Sequence, residues 1–550
     1  MNDTSQAATD RQARDAALAA VAQWAVEPTS LVTYHSEGRL LVISPRARVQ
    51  GVTANMPDTL QWALLVTDPD PAEDLRASLH PPGGIFQARG LTPALKGHLG
   101  AFALTLEGGG ESVPLAPWGE EGAIDLVLDL GATPLLNFAV PPFGYYAPRD
   151  EAALAAALAE LPEMVGEFDK PKYFSYDPDI CAFGRSGLAG CRRCLDTCPT
   201  GALTALVERI AIDPYYCQGG GSCASACPTG AITYRYPRPA DTLDRLRLLL
   251  RHYREAGGLD PRVLFCDGAG REALAEVELP GHVLPLELEE IGAAGPELWL
   301  NALAYGARRV LLLAPPDLPP QVFTALENQR EVVAAALAGL GLPEGVVAWT
   351  DPAGFSHAAH EAAVTPEYWL ASAHAGSDDK RRSLLTALDW LAAQADMTSG
   401  ETPLPLHAPF GEVIVDRDAC TLCMACVSVC PAKALFDGGD LPRLDFLEAN
   451  CVQCGLCETA CPENAITRRQ RLWWDKAPRD RRRTLNEEPP FHCISCGVPF
   501  ATRSVIERMT AKLEGHRMFQ DPEAKRRLQM CGDCRVKDMF KADLNPLITR

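Results

Sequence analysis

Cysteine carries the chemistry open to this chain. Between positions 420 and 461 the sequence reads Cys420-x2-Cys423-x2-Cys426-x3-Cys430-Pro431, then Cys451-x2-Cys454-x2-Cys457-x3-Cys461-Pro462. Three thiolates spaced three residues apart let one tight loop hold three corners of an iron–sulfur cube. The fourth cysteine of each run reaches across to the other run's cluster. The spacing assigns Cys420, Cys423, Cys426 and Cys461 to one [4Fe–4S] cluster, and Cys451, Cys454, Cys457 and Cys430 to its neighbour. Small residues at Ala425 and Gly455 leave room for amides to face the sulfides. Neither zinc nor disulfide templates use this doubled pattern.

The run resembles the bacterial dicluster ferredoxins, and the chain repeats it. Cys-Pro-x-x-Ala followed by Leu or Ile occurs at Cys198, Cys227, Cys430 and Cys461. Each pair of such sites reads as one ferredoxin-like unit of two pseudo-symmetric halves. The first unit departs from the pattern twice. Leu188 stands where its first ligand belongs, and Cys181 lies seven residues earlier in a stretch with glycines at 184, 187 and 190. Those glycines allow an enlarged loop to return Cys181 to the cube, giving Cys181, Cys191, Cys194 and Cys227. In the other half Gly220 takes the middle ligand position, leaving Cys217, Cys223 and Cys198. That site reads as a [4Fe–4S] cluster with one weak corner, open to water, an external ligand or Ser222. A [3Fe–4S] cluster, Cys181 serving this site instead, and loss of the cluster are the alternatives.

At the end of the chain, Cys493-x2-Cys496 and Cys531-x2-Cys534 can supply a tetrahedral four-thiolate site. Zinc is the first reading; a mononuclear iron or a further cluster is the rival. It would hold together a tail too short to bury a core of its own.

These cysteines need scaffolds, and 550 residues suffice for several domains. Residues 1–165 form a strand-rich domain, with a helical pattern at Asp15–Trp24 and β-like runs at 31–34, 40–43, 62–66, 101–106 and 124–128. Its histidines, His35, His80 and His98, lack a second ligand at useful spacing and read as surface or packing residues. Residues 166–240 are ferredoxin-like unit 1. Residues 241–400 show a β-α-β rhythm, with strands at 262–266, 283–288 and 309–313 and helices at 241–256, 296–305, 321–342 and 381–395, which predicts an α/β domain with a largely parallel sheet. Unit 2 spans 401–475, entered through an extended Pro403–Pro409 linker. Residues 476–550 hold the four-cysteine metal domain, with a helix near 504–513. The fold class is therefore α/β and α+β, multidomain. The basic run from Arg468 to Arg483 reads as a solvated linker or docking segment.

Bulk properties set limits. A formal charge of −20 argues against general nucleic-acid affinity and favours partners with basic docking faces. No apolar run approaches the ~20 residues that span a bilayer. The N-terminus lacks a secretory pattern. Clustered thiols suit a reducing compartment, so the expected location is cytoplasmic. Asp267-Gly268-Ala269-Gly270 after a strand is too short a glycine pattern for a dinucleotide site.

Val263-Leu-Phe-Cys266 with Ala302-Leu-Ala-Tyr-Gly-Ala-Arg-Arg-Val310 resembles the delta-subunit family of methanogen hydrogenases. That family links a hydrogenase to heterodisulfide reductase and carries a [2Fe–2S] cluster on several cysteines. Only Cys266 remains here, so the resemblance implies a docking domain without that cluster, and Cys266 reads as core. As a whole, the chain resembles multi-cluster ferredoxin-type proteins encoded beside formate dehydrogenases. This implies single-electron transfer through about four cubane-type clusters, with catalysis left to a formate dehydrogenase-like or hydrogenase-like partner. Two alternatives are an oxidoreductase with its own substrate or flavin site, and an iron–sulfur scaffold or assembly factor.

Overall fold

The computed structural model describes residues 3–548 except 23, 25, 27–28, 69–78, 120–122, 363–364, 368 and 440. The N-terminal strands form a parallel sheet in the order Ile85–Gln87, Gln61–Val66, Arg39–Ser44, Leu126–Asp129, Tyr145–Tyr146. Alternate side chains go to opposite faces. Leu40, Val42 and Leu64 enter one core, while Leu41, Ile43 and Leu65 enter another. Both faces are thus covered, as a parallel sheet requires. An antiparallel meander, Thr92–Lys96, Ala103–Gly108 and Glu111–Leu115, lies beside it. Strand Leu31–Ser36 pairs with Gly166–Pro171, so this unit runs directly into the first cysteine region.

The first helix, Asp3–Val21, starts earlier than its sequence pattern suggests; Gln23, in the expected last turn, lies outside the described residues. It packs away from the strands that follow it. Ala13, Ala17 and Val21 are buried against Leu243, Leu246 and Leu250 of the helix Pro239–Glu255. Asp10 also accepts from the Leu259 amide at 2.9 Å. The start of the chain therefore completes the core of the α/β unit.

That unit has four parallel strands in the order Val283–Glu287, Arg262–Cys266, Arg309–Leu313, Val347–Thr350. Helices Pro296–Ala304, Pro320–Gly339 and Lys380–Gln394 cover it, with Trp299, Tyr253 and Tyr305 fully buried among them.

The basic run differs from expectation, and the Pro403–Pro409 segment leads in from a short strand. Glu401–Pro403 pairs with Arg471–Trp473 at the edge of the second cysteine unit, whose strand Ile466–Trp473 also pairs with Gly411–Val415. The arginines face carboxylates within this unit. Arg471 makes a two-pronged pair with Glu448 at 3.0 and 2.8 Å, and Arg483 joins the same carboxylate at 2.6 Å. Arg469 pairs with Glu401 and Glu412. The run is a structural ion-pair network, because the preceding strands place acids at the matching register.

Candidate functional site: four thiol groups in succession

In the second unit, left-handed backbone at Leu422 (φ 54°), Met424 (φ 60°), Gln453 (φ 57°) and Gly455 (φ 88°) curls each cysteine loop. Two small cavities result, each of about 20 Å³. One is lined by Cys420, Cys423, Cys426 and Cys461, with Leu444 and Ile466 among its apolar walls. The other is lined by Cys430, Cys451, Cys454 and Cys457, with Val413 and Phe446. Amides already face the sulfurs: Ala434 N to Cys430 Sγ and Ala465 N to Cys461 Sγ, both 3.3 Å. The Gln453 side-chain amide adds a bond to Cys451 Sγ at 3.4 Å.

Burial, followed by the Cys420, Cys423 and Cys461 thiolates, pushes Cys426 up to about 12. Cys457 is raised by burial, then by Cys451, Cys454 and Cys430. Four thiolates gathered round one such cavity, two of them buried, repel one another unless a multiply charged metal centre stands between them. Neither quartet closes as tightly as a site for one ion. Among the described residues, only Cys493, Cys496, Cys531 and Cys534 have ligand atoms all within 4.8 Å of one another. Wider thiol quartets around a cavity, with amides aimed at sulfur, fit an iron–sulfur cube.

In the first unit, a small hairpin, Gly184–Arg185 with Leu188–Ala189, takes up the inserted residues. Gly190 and Cys191 amides bond the Phe183 and Ala182 carbonyls at 2.7 and 2.8 Å and close the loop. Cys181 thereby packs against the core cluster that holds Cys194 and Cys227. Burial, then Cys227, Cys191 and Cys181, raises the Cys194 thiol to about 12. In the other half, Cys223 is raised by burial and then by Cys217 and Cys198. No further cysteine enters at Gly220, where a β-carbon would meet only Pro199 Cγ, at 4.0 Å. The buried Ser222 hydroxyl donates to the Thr197 carbonyl at 3.3 Å. Its neighbours close the backbone in. Gly219 lies against the Tyr173 ring, Gly221 against Ala293, and Gly292 against the Gly220 carbonyl.

These groups adjoin one another. The helix Arg193–Thr197 packs on Ser222–Ala226, the strand Leu188–Ala189 on the helix Leu456–Ala460, and that helix on Ala425–Ser428. At the junction between units, a β-carbon on Gly190 would stand 3.0 Å from Leu456. The order is therefore 198/217/223, 181/191/194/227, 430/451/454/457, 420/423/426/461. Beyond the last group, Arg508 of the helix Arg503–Leu513 donates to the Ala419 and Asp418 carbonyls at 2.7 and 2.6 Å. This fixes the terminal four-cysteine unit against Cys420. There Cys496 and Cys531 sulfurs are 3.7 Å apart. Burial raises Cys493, but the amides of Cys531, Cys496 and Ser495 outweigh it and bring the thiol down to about 6.

Three cations near the thiol groups carry no spacing signal in sequence. Lys170 Nζ is buried and donates to the Tyr215 and Cys217 carbonyls at 3.1 and 2.6 Å. Lys380 Nζ donates to the Ala224 carbonyl at 2.8 Å, and Arg381 Nη2 to the Cys451 carbonyl at 2.8 Å. Cys266 is fully buried in the α/β core, its thiol pushed up to about 12 by that burial. The following turn offers no phosphate cradle. Asp267 itself accepts from the Gly270 and Ile291 amides, and Glu290 and Asp317 add negative charge nearby.

Comparison with known proteins agrees with the cysteine chemistry. A family described as a 4Fe-4S dicluster domain matches residues 189–231, and a 4Fe-4S binding domain matches 413–436 and 445–467. The chain thus carries two ferredoxin-type 4Fe–4S regions, supporting iron–sulfur electron transfer. It is similar to Ferredoxin-1 of Caulobacter vibrioides, 43% identical over 54 residues, covering 9% of this chain and 43% of that one. The ferredoxin-type protein NapF of Escherichia coli is 37% identical over 57 residues, 10% and 35% of the two chains. An archaeal-type glutamate synthase [NADPH] of Thermotoga maritima is 41% identical over 61 residues, 11% and 12%. The chain therefore spans less than half the length of each. Among the described residues, no helix is long and apolar enough to cross a membrane.

Proposed function

We propose that this protein relays single electrons between redox partners, as a subunit or partner of a formate dehydrogenase-like or hydrogenase-like complex. The observation that carries this reading is the packing of Gly190, beside Cys191, on Leu456, between Cys454 and Cys457, which joins the two ferredoxin-type units into one succession. In the proposed ligand map, Cys181, Cys191, Cys194 and Cys227 hold one [4Fe–4S] cluster, and Cys198, Cys217 and Cys223 hold a cluster with a weak corner. Cys430, Cys451, Cys454 and Cys457 hold a third, and Cys420, Cys423, Cys426 and Cys461 a fourth. Bound clusters of this kind accept and return one electron at a time. The protein's part is to space the thiols, exclude water with residues such as Phe446 and Leu456, and aim amides and cations at the sulfurs.

We read the terminal quartet, Cys493, Cys496, Cys531 and Cys534, as a structural zinc site bracing the last group. The α/β unit serves as a docking body between the two cysteine regions, and the acidic chain suits a partner with a basic face. Its clustered thiols suit a reducing compartment, which makes the cytoplasm the location this reading proposes. The test is an anaerobic reductive titration followed by electron paramagnetic resonance. Successive signals from several interacting reduced cubanes are expected. Clusters confined to the 420–461 pair, or collapsing on reduction, would overturn the relay.

A further inference from the structure

A cavity of about 400 Å³ lies where the first cysteine unit, the α/β helices and the segment at 407–410 meet. It lies outside both cavities of the second unit, and Cys227 and Pro228 form part of its wall. The α/β side is mainly apolar, with Leu300, Val332, Val333, Ala336, Leu384 and Leu388. Phe410 adds an aromatic surface, stiffened by the Arg381 guanidinium 4.3 Å above its ring.

Two cations border this apolar space. Arg193 is held by a 2.6 Å bond to the His407 carbonyl, whereas Lys380 donates to the Ala224 and Ser225 carbonyls and pairs with the buried Glu297 carboxylate at 3.6 Å. Among the described residues on the wall, Asp196 supplies the one carboxylate, and it is exposed. Gln329 adds an amide whose Oε1 has no partner. Small-molecule sites typically run from about 300 to 1,000 Å³, apolar with a few fixed polar groups. The size admits a bicyclic or tricyclic ring, the walls suit an apolar one, and the Arg193 guanidinium suits a carbonyl oxygen at its edge.

We propose that this cavity binds a planar, carbonyl-bearing redox ring, an isoalloxazine or a quinone, beside Cys227. Either ring takes up two electrons and two protons to reach its dihydro form. The electrons come singly from the proposed relay, and the protons come from water. The location beside a cluster ligand draws on the relay reading, whereas binding itself does not depend on it.

The test uses the cluster-loaded protein under anaerobic conditions, with riboflavin and menadione as separate probes in equilibrium dialysis. Saturable binding of one ring per chain is expected, and whichever probe binds identifies the class. Ala325→Trp, which fills the cavity, and Arg193→Leu, which removes a cation, should each weaken binding at least tenfold. Iron content and the visible spectrum report whether each variant retains its fold and clusters. Absence of binding by both rings, or binding unchanged in both variants, overturns the proposal. Binding that persists while the clusters fail to reduce would separate this site from the relay.

Discussion

Lys380 and Arg381 are consecutive, yet they serve opposite cysteine units. Lys380 Nζ bonds the Ala224 carbonyl, three residues before Cys227, at 2.8 Å, while Arg381 reaches the Ala449 and Cys451 carbonyls at 2.7 and 2.8 Å. Arg381 also bonds the Pro409 carbonyl at 2.6 Å. One helix start thus places a cation beside each of the two groups at the junction.

Removing either cation should make its neighbouring cluster harder to reduce, because positive charge favours the electron-rich form. Lys380→Met is expected to lower the potential of the 181/191/194/227 cluster and Arg381→Met that of the 430/451/454/457 cluster. Redox titration by electron paramagnetic resonance checks this. Arg381→Met should also lower stability by about 1–3 kcal/mol, since three carbonyls lose a donor. Equal shifts of both clusters in each variant would contradict the pairing.

Gly220→Cys is expected to turn the three-cysteine site into an ordinary four-cysteine one. The added β-carbon has space, with Pro199 Cγ at 4.0 Å its only near neighbour. An unchanged paramagnetic signal would show that the thiol does not reach the cluster.

Cys181→Ser tests the enlarged loop. The variant should lose or weaken one cluster, leaving the two clusters of the second unit intact. Iron analysis and the residual spectrum distinguish this from full retention, which would exclude Cys181 as a ligand.

Glu448→Gln should destabilise the second unit by about 3 kcal/mol, because it leaves the buried Arg471 without its two-pronged partner. Glu448 is 3% exposed and Arg471 8%. Thermal unfolding of the variant measures the loss; a change within ±0.5 kcal/mol would mean that solvent reaches the pair.

Glu290 supplies a pH test. Partial burial, then Asp267, Asp317 and Glu289, pushes its carboxyl up to about 7. Between pH 4.5 and 7 the folded state therefore binds more protons than the unfolded one, so this residue's contribution to stability falls as pH rises. Its side chain remains exposed, so solvent screening keeps the effect small. Glu290→Gln should raise the melting temperature slightly at pH 8 and leave it unchanged at pH 4.

The sequence by itself determined the chemistry. Cysteine spacing is local, and the three-residue interval together with the Cys-Pro repeat shows the ferredoxin-type units without a fold. The 3.6- and 2-residue periods likewise outlined the α/β unit. Tertiary structure alone decided the long-range relationships. Residues near 190 and 454 approach because whole units pack together, and no short-range pattern records that. The helix Asp3–Val21 joins a core more than two hundred residues away, since apolar area is buried wherever a complementary face exists. The arginines of 468–483 resemble a solvated run in one dimension, but strand pairing brings Glu401, Glu412 and Glu448 to meet them.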